Sequence, residues 1–206
     1  MAMHTTRDAF LYALGEIYDG ENHLLDAQQH MFEHAADAEL LGILRPHIAQ
    51  TERHVMALDG VFRLLNQEPK GVTCHPASGL GDGARQAIGD ARTEAVRDYV
   101  IARAAVQVEH FEIASYHALI AEARGLGLLD QVLTQLWQNL RQDQEMVDAL
   151  IPLTRRLLQT ALMREGEQPP ERSRAAGDDP RSGARPADTY LPSQGDGETG
   201  AADPLA

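Results

Sequence analysis

The chain has 206 residues, with 31 Asp and Glu against 18 Lys and Arg, a formal net charge of −13. This length suits one domain with a full core, and 43% apolar with only 5% aromatic residues favours aliphatic helix packing over a β-sandwich. With Lys70 the sole lysine and no basic cluster, nucleic-acid binding is disfavoured. The lone Cys74 excludes an intrachain disulfide framework, and neither a membrane span nor a signal-peptide stretch is present, so a soluble, cytoplasmic protein is expected.

The first helix is predicted from Phe10, Leu14, Ile17, Glu21, Leu24, Gln28 and Met31, which recur at alternating steps of four and three along one face. Leu11, Tyr18, Leu25 and Phe32 widen that face, and Thr5 with Asp8 resembles a capping box at its start. The second helix runs from about Asp37 to Asn66 on the seam Leu40, Leu44, His47, Thr51, His54, Leu58, Val61 and Leu65, and Pro46 predicts a kink beside His47. Glu68 to Gly79 reads as a long connection, and Leu80 to Ala91 as a short helix weakened by three glycines.

The third long helix is predicted from the N-cap Thr93 to just before Gly125, with Asp98, Ala102, Ala105, Glu109, Glu112, Tyr116 and Leu119 on its seam. The fourth follows Gly127 to about Met163 through Leu129, Leu133, Leu136, Leu140, Asp143, Val147 and Leu150, bent at Pro152. Residues 166–206 hold six of the ten prolines and six of the 17 glycines, which predicts a disordered acidic tail. Within it Thr189-Tyr190-Leu191-Pro192 reads as linker or docking peptide. Two tight hairpins, at 34–37 and 125–127, flank a connection of about 26 residues. That wiring predicts an all-α, ferritin-like four-helix bundle over residues 1–165: two antiparallel helix pairs joined by a long crossover that carries a short helix.

Charges interrupt the apolar seams. Glu21 does so on the first helix, His47 and His54 on the second, Glu109 and Glu112 on the third, and Asp143 on the fourth. Counted from the hairpins at about 1.5 Å per residue, these positions fall within roughly two helical turns of one level. Burying one unpaired carboxylate costs several kcal/mol, so four of them call for a cation. Carboxylates and imidazoles converging from facing helices predict a dinuclear centre of iron or manganese. Gln50, Thr51, His110 and Tyr116 are the expected groups behind the ligands, orienting them. Each residue also has a plainer reading: salt bridges to Arg97 or Arg103 for Glu109 and Glu112, a solvated face for Asp143, a packing role for Tyr116. His4, His23, His30 and His34 read as surface residues, and Cys74-His75-Pro76 supplies too few ligands for a site of its own.

The segment Leu14-Gly15-Glu16-Ile17-Tyr18-Asp19-Gly20-Glu21 resembles the Tyr-Asp-x-Glu opening of the YciE/YciF-type ferritin-like proteins. His47 with Thr51-Glu52, Pro69-Lys70-Gly71 leading to Cys74, and Val108-Glu109-His110-Phe111-Glu112-Ile113-Ala114-Ser115-Tyr116 are similar to later segments of that family. Asp143 stands where the family usually has Glu, Gln50 where Glu is common, and Pro46 is a further departure. The resemblance implies a homodimeric bacterial stress-response protein with a dinuclear, ferritin-like centre of two iron ions. Two readings of its function follow. One is a centre that reacts with oxygen or peroxide. The other is a non-enzymatic helical interaction module whose metal site is structural or degenerate.

Overall fold

The computed structural model describes residues 3–167, and every regular element among them is a helix: α1 (Thr6–His34), α2 (Ala38–Leu64), α3 (His75–Asp90), α4 (Glu94–Gly125) and α5 (Asp130–Glu167). The predicted tail, with Thr189 to Pro192, lies outside the described residues. Helix α5 runs two residues past the expected boundary at 165.

The helix ends follow from their residues. Thr5 and Asp8 form the expected capping box, each side chain accepting from the other's backbone N–H. Asp37 caps α2 by accepting from the N–H groups of Glu39 and Leu40, and Arg156 of α5 grips its carboxylate at 2.7 Å. Thr93 caps α4 through the Val96 N–H. Helices α2 and α4 both end in a Schellman turn that needs a left-handed residue, Asn66 at φ 55° and Gly127 at φ 62°. There Gln67 N–H donates to Phe62 O and Leu128 N–H to Ala123 O, satisfying carbonyls that the helix leaves free.

Helices α1 and α2 form one antiparallel hairpin, α4 and α5 the other. The α1 end meets the α4 start, where Asp98 Oδ1 accepts from Ala36 N–H at 2.8 Å. Arg156, late in α5, meets the start of α2, while Gln135, early in α5, lies against Gly60 late in α2. The ring order is therefore α1, α2, α5, α4, with every neighbouring pair antiparallel and α2 parallel to α4. Joining two parallel helices requires a connection that travels the length of the bundle, and α3 supplies it.

The crossover lies against α1 and α4 and runs parallel to α1: Val72 N–H donates to Gly15 O, Cys74 packs on Gly20, and Gly81 on Ala27. Helix α3 starts five residues earlier than expected, at His75 rather than Leu80. Pro76 had marked a loop in the sequence, yet it sits in the first turn of α3, where its missing N–H costs nothing. Leu129, expected on the α5 seam, precedes that helix and is exposed; Val132 takes the buried position. Helices α2 and α5 continue through Pro46 and Pro152 without ending.

Two apolar clusters fill the bundle. One gathers Leu24, Met31, Leu40, Leu44, Ile101, Leu150 and Leu153 toward the α1–α2 hairpin. The other gathers Phe10, Leu14, Leu58, Val61, Leu119 and Leu136 toward the opposite end. Between them lies a slab of buried polar residues contributed by all four bundle helices.

The tight seat of the crossover on α1 yields a pair of opposite predictions. A Cβ at Gly15 would stand 2.7 Å from Val72 Cγ2 and 2.9 Å from the Lys70 carbonyl, whereas one at Gly42 would meet nothing within 4 Å. Gly15→Ala should destabilise by about 1–2 kcal/mol after its gain in helix propensity, and Gly42→Ala should stabilise by up to ~1 kcal/mol. Denaturant midpoints of the two variants check both signs.

Candidate metal centre

All six residues singled out on the seams meet in the polar slab. Glu21 and Asp143 are 0% exposed, Glu109, Glu112 and His54 1%, and His47 3%. The periodicity explains why: each replaces an apolar residue on a face already turned inward, so the flanking leucines bury it. Ligand atoms of Glu109, Glu112 and Asp143 lie within 4.8 Å of one another. His47 Nε2 stands 2.9 Å from Glu109 Oε1, and His54 Nδ1 stands 3.3 Å from Glu21 Oε1 and 3.5 Å from Asp143 Oδ1.

The salt-bridge reading of Glu109 and Glu112 and the solvated reading of Asp143 do not hold. Arg97 donates to the His34 carbonyl and Arg103 is exposed, so neither pairs with Glu109 or Glu112. Asp143 faces the interior and not a solvated surface. Two imidazoles can supply at most two positive charges against four carboxylates. Within the cluster, five carboxylate oxygens have no hydrogen-bond partner: Glu21 Oε2, Glu109 Oε2, Glu112 Oε1 and both oxygens of Asp143.

The crowded charges act on the protonation of the cluster. Burial pushes the Glu112 carboxyl well above the usual range, and the charges of Glu21, Glu109 and Asp143 push it further. Asp143 is raised in the same way, by burial and then by Glu21 and Glu109. Burial pulls His47 down, but the charge and hydrogen bond of Glu109, with help from Gln50 and Glu21, lift it above its ordinary value.

Neutral side chains hold the outer edges of both imidazoles. His54 Nε2 faces Gln142 Oε1 at 2.9 Å, and His47 Nδ1 faces Gln50 Oε1 at 3.3 Å. An amide oxygen only accepts, so each ring donates its outer N–H and presents its inner nitrogen to the carboxylates. Tyr116 donates its phenolic hydrogen to Glu21 Oε1, and Asn139 Nδ2 donates to the Tyr116 oxygen at 2.9 Å. Thr51 donates to Gln28 Oε1 at 2.9 Å, and Gln28 Nε2 lies 3.1 Å from His47 Nε2.

Of the expected orienting groups, Gln50, Thr51 and Tyr116 are in place. His110 is not: one residue past Glu109 is a turn of about 100° around the helix, and His110 is exposed. His30, expected on the surface, is half-buried and stacks on the exposed His34 at 4.1 Å between ring centroids. Three contributors went unrecognised in the sequence: Gln28, Asn139 and Gln142. Gln28 sits on the α1 seam seven residues after Glu21, and Asn139 sits one turn before Asp143, so spacing was the available signal.

The unpartnered oxygens and the inward-facing imidazole nitrogens fit a cation. Carboxylates and imidazoles without thiolate are the donor set of iron or manganese sites built in helical bundles.

Comparison with known proteins agrees with this architecture. Protein YciF of Escherichia coli (strain K12) is 30% identical over 128 residues, spanning 62% of this chain and 77% of that protein. The crystal structure of the E. coli stress protein YciF aligns with TM-score 0.72 at 26% identity, covering 76% of this chain and 99% of that one. YcfI from Rhodopseudomonas palustris aligns with TM-score 0.70 at 35% identity, covering 71% and 93%. The family described as "Domain of unknown function (DUF892)" matches residues 5–163. A YciF-like, ferritin-type helical bundle, the chain belongs to the DUF892 family.

Proposed function

We propose that the chain binds two iron or manganese ions in the bundle core and reacts there with oxygen or peroxide as part of a stress response. The observation that carries this reading is the set of five unpartnered carboxylate oxygens in the buried slab, with only two imidazoles among them. Glu21, His54 and Asp143 would hold one ion, His47 and Glu109 the other, with Glu112 between the two groups. Bound iron or manganese supplies one-electron oxidation and reduction toward oxygen species.

The chain's own residues prepare that chemistry. Gln142 keeps a proton on His54 Nε2, so Nδ1 stays free as a donor. Tyr116 occupies Oε1 of Glu21, leaving Oε2 to face inward. The two apolar clusters close the slab above and below and keep bulk water out. The stress role comes from the likeness to the E. coli stress protein YciF; a homodimeric, cytoplasmic form is part of the proposal, and the mass in solution tests the dimer.

Three measurements test the reading. Anaerobic titration with Fe(II) or Mn(II) should end near two ions per chain, and air or peroxide should then change the absorbance of the iron form. At a free metal concentration 100 times the dissociation constant, loading should stabilise by about 2.7 kcal/mol and chelation should reverse it. A chain purified metal-free that takes up neither ion would sink the proposal. Replacing Glu21 and Glu109 together by Ala should abolish uptake while keeping helical circular dichroism. A protein whose metal is only structural would lose stability with the metal but show no oxidant-dependent change at all.

The pH dependence of the metal-free protein has a definite sign. Glu112 and Asp143 are raised, so folding favours their protonated forms, and stability falls as pH rises above their ordinary values of 4.5 and 3.8. His47 is also raised: its contribution is complete below 6.5 and is lost as pH climbs through its folded value. All three act together, so chelated protein should melt lower at pH 8 than at pH 5. Metal competes with those protons, and the stabilisation on loading should grow over the same interval.

A further inference from the structure

The two ends of the polar slab are built differently. At the α2–α5 end, His54 Nδ1 faces only carboxylate oxygens, Glu21 Oε1 at 3.3 Å and Asp143 Oδ1 at 3.5 Å. At the other end, His47 Nε2 faces Glu109 Oε1 at 2.9 Å and also the side-chain amide of Gln28 at 3.1 Å. That amide is 2% exposed, and the 1% exposed Thr51 anchors its far side at 2.9 Å. Either orientation of the amide engages the ring: its N–H2 takes the lone pair of Nε2, or its oxygen takes the proton there. A ring nitrogen engaged in that way is not free to bind a cation.

We infer that Gln28 is a specificity-determining residue that makes the two metal positions unequal: the Glu21–His54–Asp143 position is open, and the His47–Glu109 position is held shut by an anchored amide. This rests on the metal reading above. Loading is then sequential. The first ion enters beside His54 without displacing an amide from Nδ1, and the second enters only as Gln28 turns away from His47 and gives up its contact. Displacing one buried hydrogen bond of this kind lowers an equilibrium constant by about tenfold. The consequence is a centre that passes through a one-metal state over a usable range of metal concentration.

The test uses Mn(II) alone, without oxidant, followed by calorimetry and electron paramagnetic resonance on the full chain. Wild type should bind in two classes at least about tenfold apart, with an isolated-ion signal at one equivalent that gives way to a coupled pair at two. Gln28→Leu should tighten the weaker class about tenfold and leave the tighter one in place. Binding of one ion by wild type and two by this variant would support the inference equally. Thr51→Val, which keeps the amide but removes its anchor, should shift the weaker class in the same direction and guards against misfolding of the first variant. Two ions bound by wild type with a single affinity would overturn the inference while leaving the metal reading intact. So would a weaker class unmoved by Gln28→Leu. A weaker class that loosens in Gln28→Leu overturns it too, since Gln28 would then be a ligand. Wild type that binds no Mn(II) or Fe(II) removes the metal reading and the inference with it.

Discussion

Four carboxylates share one buried slab with two imidazoles, and no lysine or arginine among the described residues pairs with them. The rest of the molecule is arranged around that imbalance. Left alone, such a cluster would push the helices apart or take up protons, and burial together with the neighbouring carboxylates favours the protonated forms of Glu112 and Asp143. The first response is resisted by the apolar clusters on either side, which clamp the four helices above and below the charged level. Burial of leucine and isoleucine is non-directional and adds up over many residues, so it can hold a bundle closed against local repulsion.

The groups that surround the charges are neutral. Gln142, Gln50, Gln28, Asn139, Thr51 and Tyr116 all use amides or hydroxyls, where Arg or Lys would have cancelled the negative charge directly. Neutral partners orient the imidazoles and one carboxylate without neutralising anything, and the charge deficit is left for an ion to satisfy. A basic residue in any of these places would make an internal salt bridge and cancel the charge that is otherwise left over. The choice of amides is thus itself part of the case for a cation.

Much of the fold was readable because the seams were long and regular: alternating steps of four and three residues set each inward face, and the two short hairpins with one long connection set the wiring. The six charged residues were readable for the same reason, as breaks in an otherwise apolar pattern. What escaped was what periodicity does not encode. Gln28 lies on a seam, but its meaning depends on His47, 19 residues away across a hairpin. Gln142 is half-buried at the edge of its helix, and only packing against α2 brings it to His54, 88 residues back. His110 was misplaced by adjacency to Glu109, since neighbours in a helix point about 100° apart. The start of α3 was missed because proline marks loops and first helical turns alike.

The crossover bears on the centre as well as on the topology. Its entry strand of backbone is fixed to α1 within two turns of Glu21: Val72 N–H on the Gly15 carbonyl, Cys74 N–H on Asp19 Oδ2 at 2.8 Å, and Cys74 against Gly20. A helix held at three successive points cannot rotate about its axis. Rotation is the motion that would carry Glu21 out of the slab, because a turn of one residue moves a side chain by about 100°. Helix α1 contributes one carboxylate, Glu21, and the amide of Gln28 to the cluster, and the crossover adds its own hold on the helix register. The glycines at 15 and 20 let the crossover approach closely enough to do so, and the small residues along this seam serve the placement of one charged side chain.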